Sequence, residues 1–204
     1  MTKRYIKPVE DNYDKQHTYA AMLSKHHLAI KHQFYLEAIL IDYALMEDRL
    51  RSFIYHLGGM ASRNDSKISG RGRKYIKQIL QEYDPKANLG IGSIFGKRRI
   101  VRAVLAWKES TTESPKDKYL KALWTRLDSI DREKLKTALD NTESWCDYRN
   151  ECIHSVMNKN LNSLNDEVAQ KAEDGLKYVR IIDDQVKVLK RGNLIRKSVF
   201  LNEY

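Results

Sequence analysis

Apolar residues in this chain return every three or four positions, over stretches too long for any element except a helix. Ile39, Tyr43, Met46, Leu50, Phe53, Ile54 and Leu57 form one such stripe. Val168, Ala172, Leu176, Val179, Ile182, Val186 and Leu189 form another. At the helical period each set falls on one face, which must then be covered by another element. Breakers are sparse, with 3 prolines and 9 glycines in 204 residues, which leaves room for long helices. No alternating strand pattern of useful length, internal repeat or low-complexity tract competes. The expected class is all-α, a helical bundle.

A helical pattern runs from about Asp14 to Leu57, with room for one break near Lys31, and Gly58-Gly59 stops it. Residues 61–73 read as a loop and Lys74–Tyr83 as a helix barred by Pro85. Residues 88–96, with three glycines, read as a second loop, followed by short helices over Lys97–Trp107 and Tyr119–Leu127. The next helix is expected to start near Asp128 or Ser129, both good N-caps, and to bury Leu135, Ala138, Leu139, Thr142, Trp145, Cys146, Ile153, Val156 and Met157. Its spacing slips at Arg149-Asn150, which suggests a kink or a new helix start there. Asn158-Lys159-Asn160 ends it, Ser163 to Asp166 opens the last helix, and Gly192-Asn193 closes that one. In the tail, Ser198 to Leu201 is able to pack on a neighbour. The first long helix, the one with Arg149 and the last should form the core of a single domain over 1–204. Residues 61–127 are then loops and short helices inserted between core helices.

A net charge of +10 favours encounter with polyanions, nucleic acid first. Charges interrupt every apolar run that approaches a membrane span, and Met1 to Pro8 has a basic start with no apolar stretch behind it. The expectation is a cytoplasmic protein that does not enter a membrane. Cys146 and Cys152 are six apart in one helical stretch, too far to bond, and read as reduced thiols. His17, His26, His27 and His32 have no metal-ligand spacing and read as polar helix surface. Trp107, Trp124 and Trp145 sit among apolar neighbours and read as core. Gly90, Gly92 and Gly96 lack the lysine and hydroxyl residue that close a phosphate loop. No metal and no cofactor is expected.

Arg149-Asn150-Glu151-Cys152-Ile153-His154 is the segment that carries chemistry. RNA brings its own nucleophile, the 2′-hydroxyl. Cutting it needs a base there, an acid at the 5′-oxygen and positive charge on the phosphate. His154 titrates near neutral pH and can serve as base or acid. Arg149 can grip phosphate oxygens in bidentate fashion. Asn150 can orient the histidine, the phosphate or a helix end. Arginine followed by histidine five later recurs at Arg51–His56, so the asparagine is what distinguishes Arg149. The competing reading is an exposed helix patch in which Arg149 pairs with an acid such as Glu151. On a regular helix, residues five apart point about 140° from each other and rise about 7.5 Å. A bend, the reach of the arginine, or a second subunit must close that gap, and a two-fold dimer would bring two such pairs together.

Arg-Asn-x-x-x-His near the start of a late helix, in a compact helical chain, resembles the HEPN superfamily. The segment Glu37 to Leu50 is similar to that superfamily's first core helix, with its acid before a leucine. The resemblance implies a helical bundle, commonly dimeric. It implies a metal-independent endoribonuclease of defence, toxin–antitoxin or CRISPR systems, with Arg149 and His154 catalytic and Asn150 in support. Glu47 or Asp48 would be the polar partner from the first long helix. A toxin subgroup places tyrosine two after the histidine, where this chain has Val156. Other members serve as non-catalytic RNA- or protein-binding and dimerisation modules, which is the alternative function. The implied partners are RNA, a second copy of the chain, and an antitoxin or activating protein. Basic segments at Lys67–Lys77, Lys97–Arg102 and Lys187–Lys197 could track an RNA backbone. Arg71, Arg73, Lys74, Lys97, Arg98 and Arg99 lie on or beside glycine-containing loops, with Tyr75 as a stacking face.

Overall fold

A computed structural model of the protein describes residues 12–62, 65–155, 158 and 161–191. Among them are seven helices and no sheet: α1 Asn12–Lys31, α2 Tyr35–His56, α3 Arg73–Tyr83, α4 Ile94–Ser110, α5 Lys118–Asp128, α6 Arg132–Ser155 and α7 Leu161–Arg191. The all-α expectation holds, and the first long helix does break after Lys31. Gln33 takes the left-handed conformation, with φ 61. Phe34 N–H donates to the Ala29 carbonyl at 2.8 Å and Gln33 N–H to that of Ile30 at 3.0 Å. That pair of bonds is the Schellman closure, made here without the usual glycine. The same closure ends α2, where Gly58 has φ 79 and Gly59 N–H donates to the Ile54 carbonyl at 3.1 Å.

The main pairing is α2 along α7, with α1 laid on α2 and α6 against α7. Both apolar stripes do what their period demands. Ile39, Met46, Leu50 and Phe53 from α2 and Leu57 just after it are buried, as are Val168, Ala172, Val179, Ile182 and Val186 from α7. Trp145 of α6 is buried between them and donates its indole N–H to the Lys171 carbonyl at 2.7 Å. Gly175 makes that junction possible, because a Cβ there would stand 2.7 Å from both Asp42 Oδ2 and Trp145 Cζ2. Trp107 is buried as expected, whereas Trp124 is half-buried under the Lys108 ammonium, 3.2 Å from its ring centroid.

Several boundaries differ from the sequence reading. Helix α4 begins at Ile94 rather than Lys97, because Ser93 Oγ accepts from Gly96 N–H at 3.1 Å and caps it. Helix α6 begins at Arg132 rather than near Asp128, because Asp131 Oδ1 accepts from Lys134 N–H at 3.0 Å. Helix α6 also runs on past Arg149-Asn150 to Ser155, with no new start there. Val156, Met157, Gly192-Asn193 and the tail from Leu194 lie outside the described residues. The segments read as loops after α2 and α3 are tied together by an isolated antiparallel bridge between Lys67 and Gly90, with Ile68 and Ile91 buried beside it.

His26 corrects the reading of the N-terminal histidines as surface. It is buried, and its Nε2 lies 3.2 Å from each carboxylate oxygen of buried Asp42. The pair joins α1 to α2 where α7 crosses. Burial pushes the Asp42 carboxyl up to about 6, against the opposing pull of His26 and Arg180.

No helix among the described residues is long and apolar enough to cross a membrane.

Candidate functional site

Helix α6 presents Glu143, Cys146, Asp147 and Asn150 to a cavity of about 350 Å³. Helix α2 closes one side with Tyr43, and the first turn of α4 closes the other with Ser93, Ile94, Phe95 and Arg98. Residues at steps of three and four share a helix face. His154, one turn beyond Asn150, therefore continues the same face past the cavity. It is exposed, and among the described residues no hydrogen-bond or ion-pair partner holds it.

Arg149 points elsewhere. Its guanidinium lies over the Tyr43 ring, 4.1 Å from the centroid, and Nη1 donates to Asn150 Oδ1 at 2.8 Å. Its buried Nε has no hydrogen-bond partner. Tyr43 and Asn150 both line the cavity, so the arginine is fastened to two of its walls. The angular gap expected of residues five apart is thus bridged in part. The arginine reaches sideways to Asn150, and Asn150 shares a face with His154.

The surrounding groups fix the charge of the site. Burial, with Glu47 and Cys146 nearby, raises the Tyr43 phenol above its ordinary value despite Arg149, so the ring stays neutral. Burial pushes the Cys146 thiol up to about 11, which leaves it a thiol and no nucleophile near pH 7. Cys152 is buried, and both cysteines are free.

The two acids carried over from the superfamily go to different places. Glu47, one turn after Tyr43, accepts from Lys97 Nζ at 2.6 Å. Asp48 turns to the α1 side, where Arg49 binds it and Lys15 Nζ approaches to 2.6 Å. Burial works to raise its pKa, but those two cations hold the Asp48 carboxyl below the usual range. Only Glu47 stands on the side of Tyr43.

The expected RNA-tracking cations are also redistributed. Lys97 is fully buried against Glu47, and desolvation lowers its pKa. A buried, paired ammonium cannot follow an RNA backbone, so that reading of Lys97 is corrected. Arg98 is buried too, with Nη2 2.7 Å from Glu143 Oε1, and its Nε has no hydrogen-bond partner. Arg99 Nε donates to Asp84 Oδ2 at 2.6 Å. All three belong to α4, within the helix expected from Lys97 onward. Arg71, Arg73 and Lys74 are exposed at the start of α3 and line neither this cavity nor the next. Tyr75 is not a free stacking face, because it stacks on Tyr119 at 4.6 Å and donates to Asp117 Oδ2 at 2.8 Å.

Sequence reasoning missed Phe95. It stands in the first turn of α4 and lines both this cavity and a second one of about 490 Å³ that extends along α4 and α6 past Arg102. The signal was present in Ser93-x-x-Gly96, a capped start whose glycine reads more readily as a loop residue. Among the described residues no cluster of three or more histidine, cysteine, aspartate or glutamate side chains could hold a metal ion.

No family model, no curated protein and no solved structure matches this chain.

Proposed function

We propose that the protein is a metal-independent endoribonuclease of HEPN type, acting in the cytoplasm as a homodimer in prokaryotic defence or toxin–antitoxin control. The observation that carries the reading is the placement of Arg149 and Asn150. They are hydrogen-bonded to each other at the wall of a cavity, with exposed His154 next on the face of Asn150. In the reaction a base removes the 2′-hydroxyl proton, and the 2′-oxygen attacks phosphorus. The bond to the 5′-oxygen then breaks as that oxygen takes a proton. The products are a 2′,3′-cyclic phosphate and a 5′-hydroxyl. His154 acts as base or acid, Arg149 stabilises the added charge on the phosphate oxygens, and Asn150 orients the arginine. One histidine cannot be base and acid in the same instant. A second copy of the chain, contributing its own His154, would complete the pair.

One observation favours the non-catalytic alternative, an RNA- or protein-binding module. A catalytic base is ordinarily oriented by a third group, and His154 has no such partner among the described residues. The two readings separate in one experiment. Mixed-sequence RNA is incubated in EDTA with the purified protein or with His154→Ala, and product ends are analysed. The nuclease gives cyclic phosphate ends that vanish in the variant. Salt-sensitive RNA binding without cleavage in either protein supports the module.

A further inference from the structure

The ribonuclease reading names RNA as the substrate without saying how a strand lies on the protein, and the following rests on that reading for the identity of the ligand. We propose that the cavity between α2, α4 and α6 is a nucleobase subsite for single-stranded RNA, with Phe95 as its stacking platform.

Phe95 is 53% exposed, in a helix whose other large apolar side chains are buried. Its ring is flanked by two guanidinium groups, with Arg98 5.4 Å and Arg99 5.5 Å from the centroid. Arg98 and Arg99 are themselves paired with Glu143 and Asp84, so they are not free to hold a backbone, and what the site offers a single strand is the exposed surface of the Phe95 ring for a stacked base. Phe95, Arg98 and Glu143 line both cavities, so these make one groove along α4 and α6 with the phenyl ring between its halves. The inner half, at about 350 Å³, falls in the range of about 300–1,000 Å³ typical of small-molecule sites.

The chemistry of the lining selects a base over a phosphate. Asp147 borders the inner cavity and would repel an anion, whereas Glu143 is held by Arg98 and Arg102. The Asp147 carboxylate accepts hydrogen bonds, as would suit the amino and imino groups of a base. The donors must come from elsewhere than Arg98, whose Nε is sealed from the cavity and whose Nη2 is held by Glu143. Asn150 gives its Oδ1 to Arg149, which leaves its amide N–H groups for the ligand. A base seated here would place its own ribose and phosphate at the mouth, beside Arg149 and towards His154. A base inside a duplex is stacked on both sides and cannot enter, so the subsite reads unpaired strands.

The test uses the full chain carrying His154→Ala, so that binding is read without cleavage. Affinity for a short unstructured RNA oligonucleotide is measured at fixed ionic strength, with a duplex of the same sequence and an abasic ribose-phosphate oligomer as competitors. Phe95→Ala is expected to weaken binding about fivefold to a hundredfold, the usual worth of one stacked base. Phe95→Trp should retain it, and both competitors should be weak. An unchanged affinity in Phe95→Ala, an abasic oligomer that competes as well as RNA, or no measurable affinity of the parent would each overturn the proposal. The readout is independent of catalysis. Weakened binding by Phe95→Ala beside a wild-type protein that never cleaves would keep the subsite and remove the nuclease. Cleavage by the wild type with Phe95→Ala binding unaltered would do the reverse.

Discussion

Helix α2 has two sides, and they treat polar groups differently. On the side of α1 and α7, charged groups turn towards each other. Asp42 meets His26, Arg49 Nη1 donates to Asp183 at 2.9 Å, and Asp48 meets Arg49 and Lys15. Tyr19 lies under the Arg49 guanidinium, 4.5 Å from it. On the side of α4 and α6, Tyr43 stands under Arg149 at the edge of open space. There two buried arginine nitrogens lack partners, and a phenylalanine and a histidine face outward. Burying a charge costs free energy that pairing must offset. The first side is closed over its charges, although His26 Nδ1 and Asp42 Oδ1 there also lack hydrogen-bond partners. The second side pairs its cations as well, Lys97 with Glu47 and Arg98 with Glu143, but it borders a cavity lined by Phe95, Asp147 and Asn150, as a binding surface does. Adjacent residues Asp42 and Tyr43 thus belong to different halves of the molecule.

The largest expected effect should break the second side and spare the first. If Arg149 stabilises the phosphate as proposed, Arg149→Ala should lower the RNA cleavage rate by about 10²–10³-fold, as loss of a preorganised donor does. It should cost about 1–2 kcal/mol of stability, the worth of a partly desolvated cation–π contact. Cleavage assays beside denaturant unfolding of the same variant check both halves. A large loss of stability would mean that Arg149 is scaffold.

Gly175→Ala should do the opposite. Its Cβ would collide with Asp42 and Trp145, where α2, α6 and α7 converge. Overpacking at such a junction costs about 1–3 kcal/mol. Urea unfolding should show an earlier midpoint, while the activity of the remaining folded protein stays near wild type.

Asp42→Asn tests the scaffold through pH. Asp42 has its folded pKa raised from 3.8 to about 6, so the folded state holds that proton more firmly than the unfolded chain. Its contribution to stability is fully present below about pH 4 and is lost as pH rises through about 6. Wild type should therefore lose ground to Asp42→Asn between pH 4 and 7, by at most about 3 kcal/mol at one unit per 1.36 kcal/mol. Thermal midpoints across that range measure it, and a difference that stays flat with pH would show that Asp42 keeps an ordinary pKa. Asp84 and Asp117 work in the other sense. The hydrogen bond from Arg99 lowers Asp84, and those from Leu120, Tyr75 and Tyr119 lower Asp117 against its partial burial, so both cost stability as the solution turns acid.

The smallest effect sharpens the comparison between two helix ends. Gly58 closes α2 without strain, whereas Gln33 closes α1 in the same left-handed conformation with a side chain attached. Gln33→Gly should stabilise the protein by up to about 1 kcal/mol, the usual cost of that conformation for an L-residue. A lower melting temperature would mean that the Gln33 side chain contributes more than its backbone costs.

Much of the scaffold was legible in the sequence because it is periodic. The α2 and α7 stripes and the Gly58-Gly59 stop needed only local pattern. What failed was long-range or set by capping. His26 reads as surface because its partner Asp42 is sixteen residues away. Lys97 and Arg98 read as cations beside a glycine-containing loop because their partners, Glu47 and Glu143, lie far off in the sequence. Of the candidate site, the residue types of Arg149, Asn150 and His154 could be read directly. The turn of Arg149 onto Tyr43, the exposure of Phe95 and the cavity between them come from the crossing of α2, α4 and α6, which no local window contains.

The central claim is that the α4–α6 side works and the α1–α7 side supports. Its most direct test is the RNA cleavage rate in EDTA of His154→Ala against Asp42→Asn, each normalised to folded protein. The account predicts a loss of about 10²–10⁴-fold in His154→Ala, the usual contribution of a general acid or base, and a rate within a few-fold of wild type in Asp42→Asn. Undiminished cleavage in His154→Ala, or an equal loss in both variants, would contradict it.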